Sequence, residues 1–301
     1  MPGHDTKHIS RAFRNAETLE FDDFSGIVLM SDCHRGYGGW ADNFAINEDT
    51  YFAALRFYDS SGFTYIELGD GDELWENRKF SEIAATHNHV FWLLRNMWLD
   101  GRFIMLYGNH DVEKKFKPKL MNSYYGANER RELPLFPGMK VKEAVRLRHR
   151  VSGAEFLLIH GHQADFFNDG LWKLSRFLVR YIWKSLQNVG LKAPARGSYY
   201  DKNMDDTEER LSRWTRATGT PLIAGHTHRP RFPGPGETPY FNDGSCVHPR
   251  CITAVEIANG AIRLVKWSHK TRSDGVLYVG RDTVSGPYAI TDYMQAGGLE
   301  R

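Results

Sequence analysis

The sequence predicts an α/β fold, namely a layered sandwich of two mixed β-sheets flanked by helices, with a helical insertion between two of the strands. Short apolar runs rich in Ile, Leu, Val and Phe recur along the chain, and runs of this length are typical of buried strands. Stretches with helical periodicity, such as residues 48–59, separate the earlier runs. Further strand signals follow in residues 240–279, where Asn259-Gly260 predicts a two-residue hairpin turn.

Five of the predicted strands are followed by polar residues of the kinds that bind metal ions. These strands are predicted at residues 27–30, 63–68, 103–107, 156–159 and 222–224. They precede the sequences Ser-Asp-Cys-His, Gly-Asp, Gly-Asn-His-Asp, His-Gly-His and Gly-His-Thr-His, respectively. In open sheets that alternate strands with helices, ligands collect where strands end. The pattern therefore predicts one site assembled from five places in the chain.

The candidate metal ligands are two aspartates, one asparagine and four histidines, namely Asp32, His34, Asp70, Asn109, His160, His226 and His228. Oxygen and imidazole nitrogen suit borderline divalent ions, and the sequence has no thiolate set for structural zinc. A carboxylate such as that of Asp70 can bridge two ions. Two ions roughly 3.5–4 Å apart can hold a hydroxide and stabilise the oxygens of a phosphoryl group. We therefore expect two divalent ions, with manganese as first choice and iron or zinc as alternatives.

Composition limits the class of protein. The 301 residues are 41% apolar, which is enough for a sizeable core, and we expect a single domain over residues 1–301. No stretch has the roughly 18 apolar residues of a membrane-spanning helix, and the charged N-terminus lacks the apolar core of a signal peptide. A net charge of +2 is too small to indicate nucleic-acid binding. The three cysteines form no disulfide framework, so we expect a cytoplasmic protein.

The five polar sequences, in this order, resemble the motifs of the calcineurin-like metallophosphoesterases, and the resemblance spans about residues 26–258. It implies an enzyme that hydrolyses phosphoric esters or anhydrides with the help of a hydroxide between two metal ions. The first ion would be held by Asp32, His34, Asp70 and His228, and the second by Asp70, Asn109, His160 and His226.

Two features narrow the expected substrate. Protein Ser/Thr phosphatases of this family carry Gly-Asp-x-Val-Asp-Arg-Gly and Gly-Asn-His-Glu, and this chain has neither, which argues against a phosphoprotein substrate. The run Glu73-Leu74-Trp75-Glu76 is similar to the corresponding segment of the UDP-2,3-diacylglucosamine hydrolases. This resemblance implies hydrolysis of a phosphodiester or pyrophosphate bond in a nucleotide-linked lipid or sugar. The alternatives are a soluble nucleotide phosphodiesterase or phosphomonoesterase, and a non-catalytic scaffold of the same fold.

Other residues of the motifs are candidates for catalysis and substrate binding. His110 can give a proton to a departing oxygen because histidine titrates near neutral pH, and Asp111 is placed to orient it. Arg35 begins a glycine-rich segment that is either a substrate-binding loop or a plain turn. His162 is expected behind the ligands or on substrate, and by resemblance Asn242 helps to hold the last metal loop. Three further acidic residues either orient the ligands or belong to a solvated loop, namely Asp72, Glu73 and Glu76.

Residues 168–219 are predicted as a helical insertion that covers the site as a lid. Within it, residues 171–187 form a helix whose basic side chains share one narrow stripe, namely Lys173, Arg176, Arg180 and Lys184. Apolar residues fill the remaining surface, a wider arc than one core-facing side needs. The sequence leaves two roles open for this helix. In one, it lies on the inner face of a membrane or grips the acyl chain of a lipid-linked substrate, with Lys173 and Arg176 contacting substrate. The alternative is a helix packed between the core and the second subunit of a homodimer.

The remaining predictions concern elements away from the motifs. Residues 1–24 are predicted as a partly ordered arm and residues 281–301 as a loosely ordered tail. Residues 81–100 are predicted as one helix in which His87 has no special role. A second helix of the insertion, residues 203–217, carries acidic residues in its early turns and is assigned no chemistry.

Overall fold

The computed structural model describes residues 6–39, 42–122, 124–126, 131–165 and 198–293. Two β-sheets form the centre of this part of the chain, and helices cover the outer face of each sheet, as predicted. The strands are β1 (Glu17–Phe21), β2 (Ile27–Met30), β3 (Thr64–Glu67), β4 (Phe103–Met105), β5 (Tyr124–Gly126), β6 (Arg131–Leu133), β7 (Ala144–His149), β8 (Glu155–Ile159), β9 (Leu222–Ala224), β10 (Tyr240–Asn242), β11 (Cys251–Ala258), β12 (Ala261–Thr271) and β13 (Leu277–Ala289). The helices are α1 (Lys7–Asn15), α2 (Glu48–Ser60), α3 (Phe80–Thr86), α4 (Asn88–Leu99), α5 (Glu113–Phe116) and α6 (Ser198–Thr218).

The order of the strands brings the carboxyl ends of the motif-bearing strands together. The first sheet has the order β13-β12-β11-β2-β3-β4, and the second has the order β1-β7-β8-β9-β10. Strands β2, β3 and β4 pair in parallel, and so do β8, β9 and β10. Both sheets are mixed, because β11 pairs antiparallel with β2 and β7 pairs antiparallel with β8. Parallel neighbours end at the same edge of a sheet, so the predicted ligands of each sheet share an edge.

Alternation along the strands divides the core into layers. In β2, Ile27 and Leu29 pack between the two sheets, whereas Val28 and Met30 face helices α2 to α4. Because both faces of β2 are buried, the strand consists of four consecutive apolar residues. Helices α1 and α6 cover the outer face of the second sheet, where Trp214 is the largest buried side chain. Complete burial of a large apolar side chain stabilises the fold by about 1.5–3 kcal/mol.

Within the described residues, the predicted loose arm (6–24) and the predicted loose tail (281–293) contain regular structure, which corrects both predictions for these residues. Residues 7–15 form α1, because Ile9 and Ala12 are buried against the second sheet. Residues 17–21 form β1, which lies parallel to β7 at the edge of that sheet. Residues 277–289 form β13, which pairs antiparallel along β12. Strand β1 pairs with β7, which is distant in sequence, and β13 pairs with β12 along a long hairpin. Local sequence patterns therefore gave weak signals for both strands.

The predicted helix 81–100 is two helices, α3 and α4, which meet at a buried His87. His87 Nε2 lies 2.9 Å from Asp42 Oδ2, and His87 Nδ1 lies 2.6 Å from Glu48 Oε1. Burial would lower the pKa of His87, but the two carboxylates outweigh burial and raise the pKa above its usual value. A protonated His87 therefore ties the loop before α2 to the junction of α3 and α4.

Of the predicted insertion 168–219, the structure describes only α6. The helix predicted at 171–187 lies outside the described residues, and so do Lys173 and Arg176. Helix α6 spans Ser198–Thr218 and covers the residues of the second predicted helix of the insertion. No helix in the described ranges has the length and apolar character required to span a bilayer.

Replacing His87 with Leu should destabilise the protein most at acid pH. The folded-state pKa of His87 is raised, so its charged pairs stabilise the protein fully below the unfolded-state pKa of about 6.5. This stabilisation is lost as the pH rises through the folded-state pKa. We expect the free energy of unfolding to fall by about 3 kcal/mol at about pH 6 and by less at about pH 9. Urea unfolding of both proteins at the two pH values measures this.

His269→Leu provides the matched control, because His269 is a half-exposed histidine that pairs with Asp49 over 2.7 Å. An exposed pair of this kind contributes about 0–1 kcal/mol. If the free energy of unfolding of the His87→Leu variant fell by the same amount at both pH values, the charge assigned to His87 would be contradicted.

Candidate metal centre

All seven candidate ligands lie in loops that directly follow strands. In the first sheet, β2, β3 and β4 are followed by Asp32, His34, Asp70 and Asn109. In the second sheet, β8 and β9 are followed by His160, His226 and His228. Backbone hydrogen bonds join these loops to each other: the His34 N–H donates to Asp70 O over 2.9 Å, and the Gly225 N–H donates to His160 O over 2.9 Å. These bonds join the loops within each sheet, and a contact of 3.0 Å between His160 Nδ1 and Leu68 O connects the loops of the two sheets.

Five of the ligands have a left-handed backbone, which residues other than glycine seldom adopt. The φ angles are 52° at Asp32, 48° at His34, 50° at Asp70, 69° at His226 and 56° at His228. Each left-handed residue costs roughly 1–2 kcal/mol. Strain of this kind persists where the surrounding structure over-determines it, which is common at functional sites. Here it turns the chain sharply at the strand ends, so that residues close in sequence can contribute to the same cluster.

The first group of ligand atoms comprises Asp32, His34 and His228, whose ligand atoms all lie within 4.8 Å of one another. Asp32 Oδ1 lies 3.0 Å from His228 Nε2 and 3.6 Å from His34 Nε2. The two imidazole Nε2 atoms are 3.4 Å apart. Burial lowers the pKa of His228 in spite of the nearby Asp32, so this ring stays neutral and keeps a lone pair for a metal.

The second group comprises Asp70, His160 and His226, again with ligand atoms within 4.8 Å of one another. Asp70 Oδ2 lies 3.2 Å from His160 Nε2 and also 3.9 Å from His34 Nε2 of the first group. Asp70 therefore links these two groups, and with His34 and His110 it also forms a third group whose ligand atoms lie within 4.8 Å of one another. Asn109 belongs to the adjoining loop, in which the His110 N–H donates to Asp70 Oδ1 over 2.8 Å.

Three buried ligand atoms have no hydrogen-bond partner within the described chain, namely Asp32 Oδ1, Asn109 Oδ1 and His160 Nε2. Buried polar atoms are nearly always satisfied, because leaving one without a partner costs free energy. All three are atoms that the sequence assigns to metal coordination. The donor set of carboxylate, amide and imidazole also suits borderline divalent ions. The residues present therefore fit a metal centre.

Hydrogen bonds on the outer side of the rings fix which nitrogen each histidine turns to the cluster. His34 Nδ1 lies 3.0 Å from Glu73 Oε2, and His160 Nδ1 lies 3.0 Å from Leu68 O. A carbonyl or a carboxylate can only accept, so each Nδ1 carries a proton and Nε2 is the nitrogen that each ring turns to the cluster. An acceptor of this kind orients a histidine that ligates a metal and raises its basicity.

Asp165 performs the same task for His226. Asp165 is completely buried, and its Oδ2 lies 3.4 Å from His226 Nε2. The protonated nitrogen of His226 is therefore Nε2, and its Nδ1 is left for a metal. The amide of Asn203, on α6, donates to Asp165 Oδ2 over 3.2 Å. Sequence reasoning missed Asp165, because a single aspartate after His-Gly-His carries no signal that separates it from a surface residue.

Glu73 holds two histidines at once and stays ionised. Besides His34, it contacts His110, whose Nδ1 lies 2.8 Å from Glu73 Oε2. Burial would raise the pKa of Glu73, but His110 and His34 outweigh burial and lower the pKa to about 2. Trp75 stacks on the His110 ring at 4.1 Å, and its Nε1–H donates to Asn109 O over 2.6 Å. The sequence left open whether Glu73 orients the ligands or belongs to a solvated loop, and its contacts with two histidines support the orienting role.

Asp111 does not take the place predicted for it, because Glu73 is the carboxylate that binds the His110 ring. Asp111 instead accepts the Gly108 N–H over 2.7 Å and the Gly71 N–H over 3.2 Å, and it pairs with Lys114 over 2.7 Å. Its carboxylate thus joins the two loops that carry Asp70 and Asn109. This corrects the expectation that Asp111 orients His110.

Arg35 was expected at the substrate, and its completely buried position corrects that expectation. Its Nε lies 2.7 Å from Asp72 Oδ1, and its guanidinium NH2 lies 2.8 Å from Glu67 Oε2. Lys114 joins the same network, 2.6 Å from Asp72 Oδ2. Buried charges require partners of this kind, since leaving one of them unpaired would be strongly destabilising. The network lies beneath the metal loops and offers no exposed surface to a ligand.

His162 lies beside the ligand His160, with ring centroids 5.5 Å apart. Only 5% of its surface is exposed, and its Nδ1 has no hydrogen-bond partner among the described residues. Burial lowers the pKa of His162, and His160 and His226 add to this effect, so the ring is neutral. Its predicted contact with substrate stays a prediction.

The charge of the cluster favours a cation. Burial would lower the pKa of His160, but the negative charges of Asp70 and Asp32 outweigh it and raise the pKa to about 9. A ring that gains a proton so readily lies in a strongly negative potential. A divalent ion held here would take the place of that proton, because a histidine ligand must be neutral.

The last metal loop is held from two sides. Asn242 Nδ2 donates to Gly225 O over 2.6 Å and to Thr227 Oγ1 over 3.1 Å, as the resemblance implied. Thr227 Oγ1 in turn donates to Glu208 Oε1 over 3.0 Å. Helix α6, which was assigned no chemistry, therefore helps to position the loop that carries His226 and His228. Nothing in the sequence of α6 indicated this contact.

The sequence matches the family model described as Calcineurin-like phosphoesterase over residues 26–230. The match covers more than half of the chain, and the chain therefore belongs to the calcineurin-like phosphoesterase family. The groups of histidine and aspartate described above could hold the metal ions on which this family depends. A comparison with curated proteins gives no match.

Two solved structures resemble the fold at low similarity. Vacuolar Protein Sorting 29 from Cryptosporidium parvum is 13% identical with a TM-score of 0.38, and the match covers 88% of this chain and 100% of that one. Vps29 from Chaetomium thermophilum is 10% identical with a TM-score of 0.37, covering 86% of this chain and 95% of that one. Similarity at this level carries no inference about activity or partners.

Asp165→Ala should weaken metal binding without unfolding the protein. The change removes the acceptor that orients His226, and loss of such an acceptor weakens metal affinity by about 10–100-fold. Isothermal titration calorimetry of the metal-free protein with Mn²⁺ measures the dissociation constant. Asp206 is an exposed aspartate on α6, so the Asp206→Ala variant should bind Mn²⁺ as the wild-type protein does. Equal affinity in the Asp165 and Asp206 variants would contradict the role of Asp165.

Proposed function

We propose that this chain is a binuclear metal-dependent phosphoesterase that hydrolyses a phosphodiester or pyrophosphate bond. The observation that carries the proposal is the set of buried ligand atoms, Asp32 Oδ1, Asn109 Oδ1 and His160 Nε2, that lack hydrogen-bond partners in the described chain. Each belongs to a motif of the calcineurin-like phosphoesterase family, to which the chain belongs. Asp70 stands between the two ligand groups, which supports two ions rather than one.

The chemistry supplied by two bound divalent ions is an activated hydroxide and neutralisation of charge on the phosphoryl oxygens. The first ion would be held by Asp32, His34, Asp70 and His228. The second would be held by Asp70, Asn109, His160 and His226. Glu73, Leu68 O and Asp165 keep three of these rings in the tautomers that coordination requires.

His110 is the residue proposed to hand a proton to the leaving oxygen. Burial would lower its pKa, but Glu73 and Asp70 outweigh burial and raise the pKa above its usual value. The raised pKa favours the protonated ring, in which Nδ1–H is donated to Glu73 and Nε2–H is left for substrate. The side chain is 23% exposed, so a substrate can reach it. The stack on Trp75 holds the ring in this orientation.

His110→Gln should lower kcat on a bis-aryl phosphate by about 10²–10⁴-fold, because it removes the proton donor. It should leave the Mn²⁺ content unchanged, since His110 is outside the proposed ligand set. Asn109→Ala and Asp70→Ala should abolish turnover and lower the metal content. Metal analysis and steady-state kinetics with Mn²⁺ measure both quantities.

Glu82→Gln is the control for this series, because Glu82 is an exposed residue that pairs with Lys79 over 2.7 Å. It should retain wild-type activity. A loss of Mn²⁺ from the His110 variant would make His110 a ligand instead of a proton donor. Substantial metal-dependent turnover by the Asp70 and Asn109 variants would contradict the proposed function itself.

For the substrate, we propose a nucleotide-linked lipid or sugar, cleaved at its pyrophosphate by an enzyme that is cytoplasmic and binds the inner membrane face peripherally. The support is the resemblance of the Glu73–Glu76 run to the UDP-2,3-diacylglucosamine hydrolases and the basic, apolar-rich sequence of residues 171–187. A panel with Mn²⁺ that compares UDP-linked lipid, UDP-sugar, cyclic nucleotide and phosphomonoester should give the highest kcat/KM on the UDP-linked lipid. Preference for a cyclic nucleotide or monoester would favour the soluble alternative.

Membrane contact can be tested separately from turnover. Wild-type protein should co-sediment with anionic liposomes, and the double variant Trp172→Glu/Trp183→Glu should not, because two charges interrupt the apolar surface predicted for this helix. The absence of binding by both proteins would remove the proposed membrane contact and leave the catalytic proposal unaffected.

A further inference from the structure

A row of side chains leads from the second group of candidate ligands to an exposed lysine. The centroid of the His162 ring lies 5.5 Å from that of the candidate ligand His160 and 5.9 Å from that of Tyr107. The Tyr107 hydroxyl in turn accepts a hydrogen bond from Lys115 Nζ over 2.8 Å. Tyr107 also precedes the candidate ligand Asn109 by two residues. The row therefore begins beside the metal centre and ends at a positive charge.

The charge of Lys115 is only weakly compensated by the described part of the protein. Its side chain is 43% exposed, and its hydrogen bond goes to the neutral hydroxyl of Tyr107. The carboxylate of Glu143 lies 3.8 Å from Lys115 Nζ, which is too long for a hydrogen bond, and it also lies 3.6 Å from the guanidinium of Arg11. An ammonium group has three donors. Lys115 can therefore bind an anion while it stays bonded to Tyr107.

His162 offers a second polar group on the same side of the metal centre. Its side chain is buried, and its Nδ1 has no hydrogen-bond partner within the described ranges. Buried polar atoms are nearly always satisfied, so an unpartnered nitrogen next to a candidate site indicates a position for a ligand atom. An imidazole N–H can donate to a phosphoryl oxygen. His162 and Lys115 therefore offer two donors to an anionic group that lies beside the metal centre.

We propose that Lys115 and His162 bind the second phosphoryl group of a diphosphate substrate, while the first phosphoryl group lies at the metal centre. The inference rests on the proposed function, because only a pyrophosphate substrate has a second phosphoryl group to bind. Both phosphoryl groups of a diphosphate are negatively charged, and Lys115 compensates the one further from the metal centre through a charge-assisted hydrogen bond. Tyr107 is a positioning residue that holds Lys115 Nζ. Lys115 is thus a specificity-determining residue, because a substrate with one phosphoryl group makes no contact with it.

Isothermal titration calorimetry with UDP and UMP, at a fixed concentration of free Mn²⁺, tests this contact because the two nucleotides differ by one phosphoryl group. Lys115→Met removes the charge, so the dissociation constant for UDP should rise about tenfold and that for UMP by less than about twofold. Tyr107→Phe keeps the ring and removes the hydroxyl that holds Lys115, so the dissociation constant for UDP should rise about threefold.

Two further variants complete the series. His162→Leu removes the unpartnered nitrogen, and it should raise the dissociation constant for UDP about threefold while the protein keeps its Mn²⁺ content. Lys117→Met is the matched control, because Lys117 is an exposed lysine of the same segment that lies 3.5 Å from Glu113. It should bind both nucleotides as the wild-type protein does.

The outcomes separate this inference from the function on which it rests. If Lys115→Met weakened the binding of UDP and UMP equally, or no more than Lys117→Met does, the second phosphoryl group would not contact Lys115 and the inference would be overturned. Turnover of a bis-aryl phosphate by the wild-type protein would leave the proposed function standing in that case. If the wild-type protein neither hydrolysed a phosphoric ester nor bound UDP in the presence of Mn²⁺, the proposed function and this inference would both be overturned.

Discussion

The structure depends on one constraint: polar atoms that are buried at the strand ends must find partners, and some of them find none within the described protein. Asp32 Oδ1, Asn109 Oδ1 and His160 Nε2 are buried atoms of this kind. The surrounding chain contacts the opposite side of His160 through Leu68 O and of Asp32 through Ser31. It contacts the candidate ligands His34 and His226 in the same way, through Glu73 and Asp165. The cluster is therefore preorganised for cations, because only its inward-facing atoms are left to bind them.

A second layer of charge supports the first. Arg35 and Lys114 are buried among Glu67, Asp72 and Asp111, beneath the loops that carry the ligands. Asp111 links two of those loops through their backbone N–H groups. One of the left-handed ligands, Asp70, directly precedes Gly71, whose N–H group donates to Asp111. The candidate metal ligands, the buried charge pairs and the strained backbone therefore lie in neighbouring loops.

The sequence predicted the layers of the fold, and it identified histidines and aspartates that the structure brings together, because both have strong local signals. Apolar runs such as 27–30 identify strands, and residues such as Asp32 and His34 follow them at fixed spacing. It failed where the signal lies in a distant partner. Arg35 was expected at the substrate because it follows a ligand, yet its partners Glu67 and Asp72 bury it. His87 has the sequence context of an ordinary helix residue, because its partners Asp42 and Glu48 are distant in sequence.

By itself, the sequence determined the kinds of atoms available to a metal and their order along the chain, because side-chain chemistry and strand periodicity are local properties. The tertiary structure alone decided which carboxylate serves which histidine. Glu73, and not Asp111, holds His110, and Asp165 holds His226. Such pairings depend on distances between loops on different strands, and those distances arise only when both sheets have packed against each other.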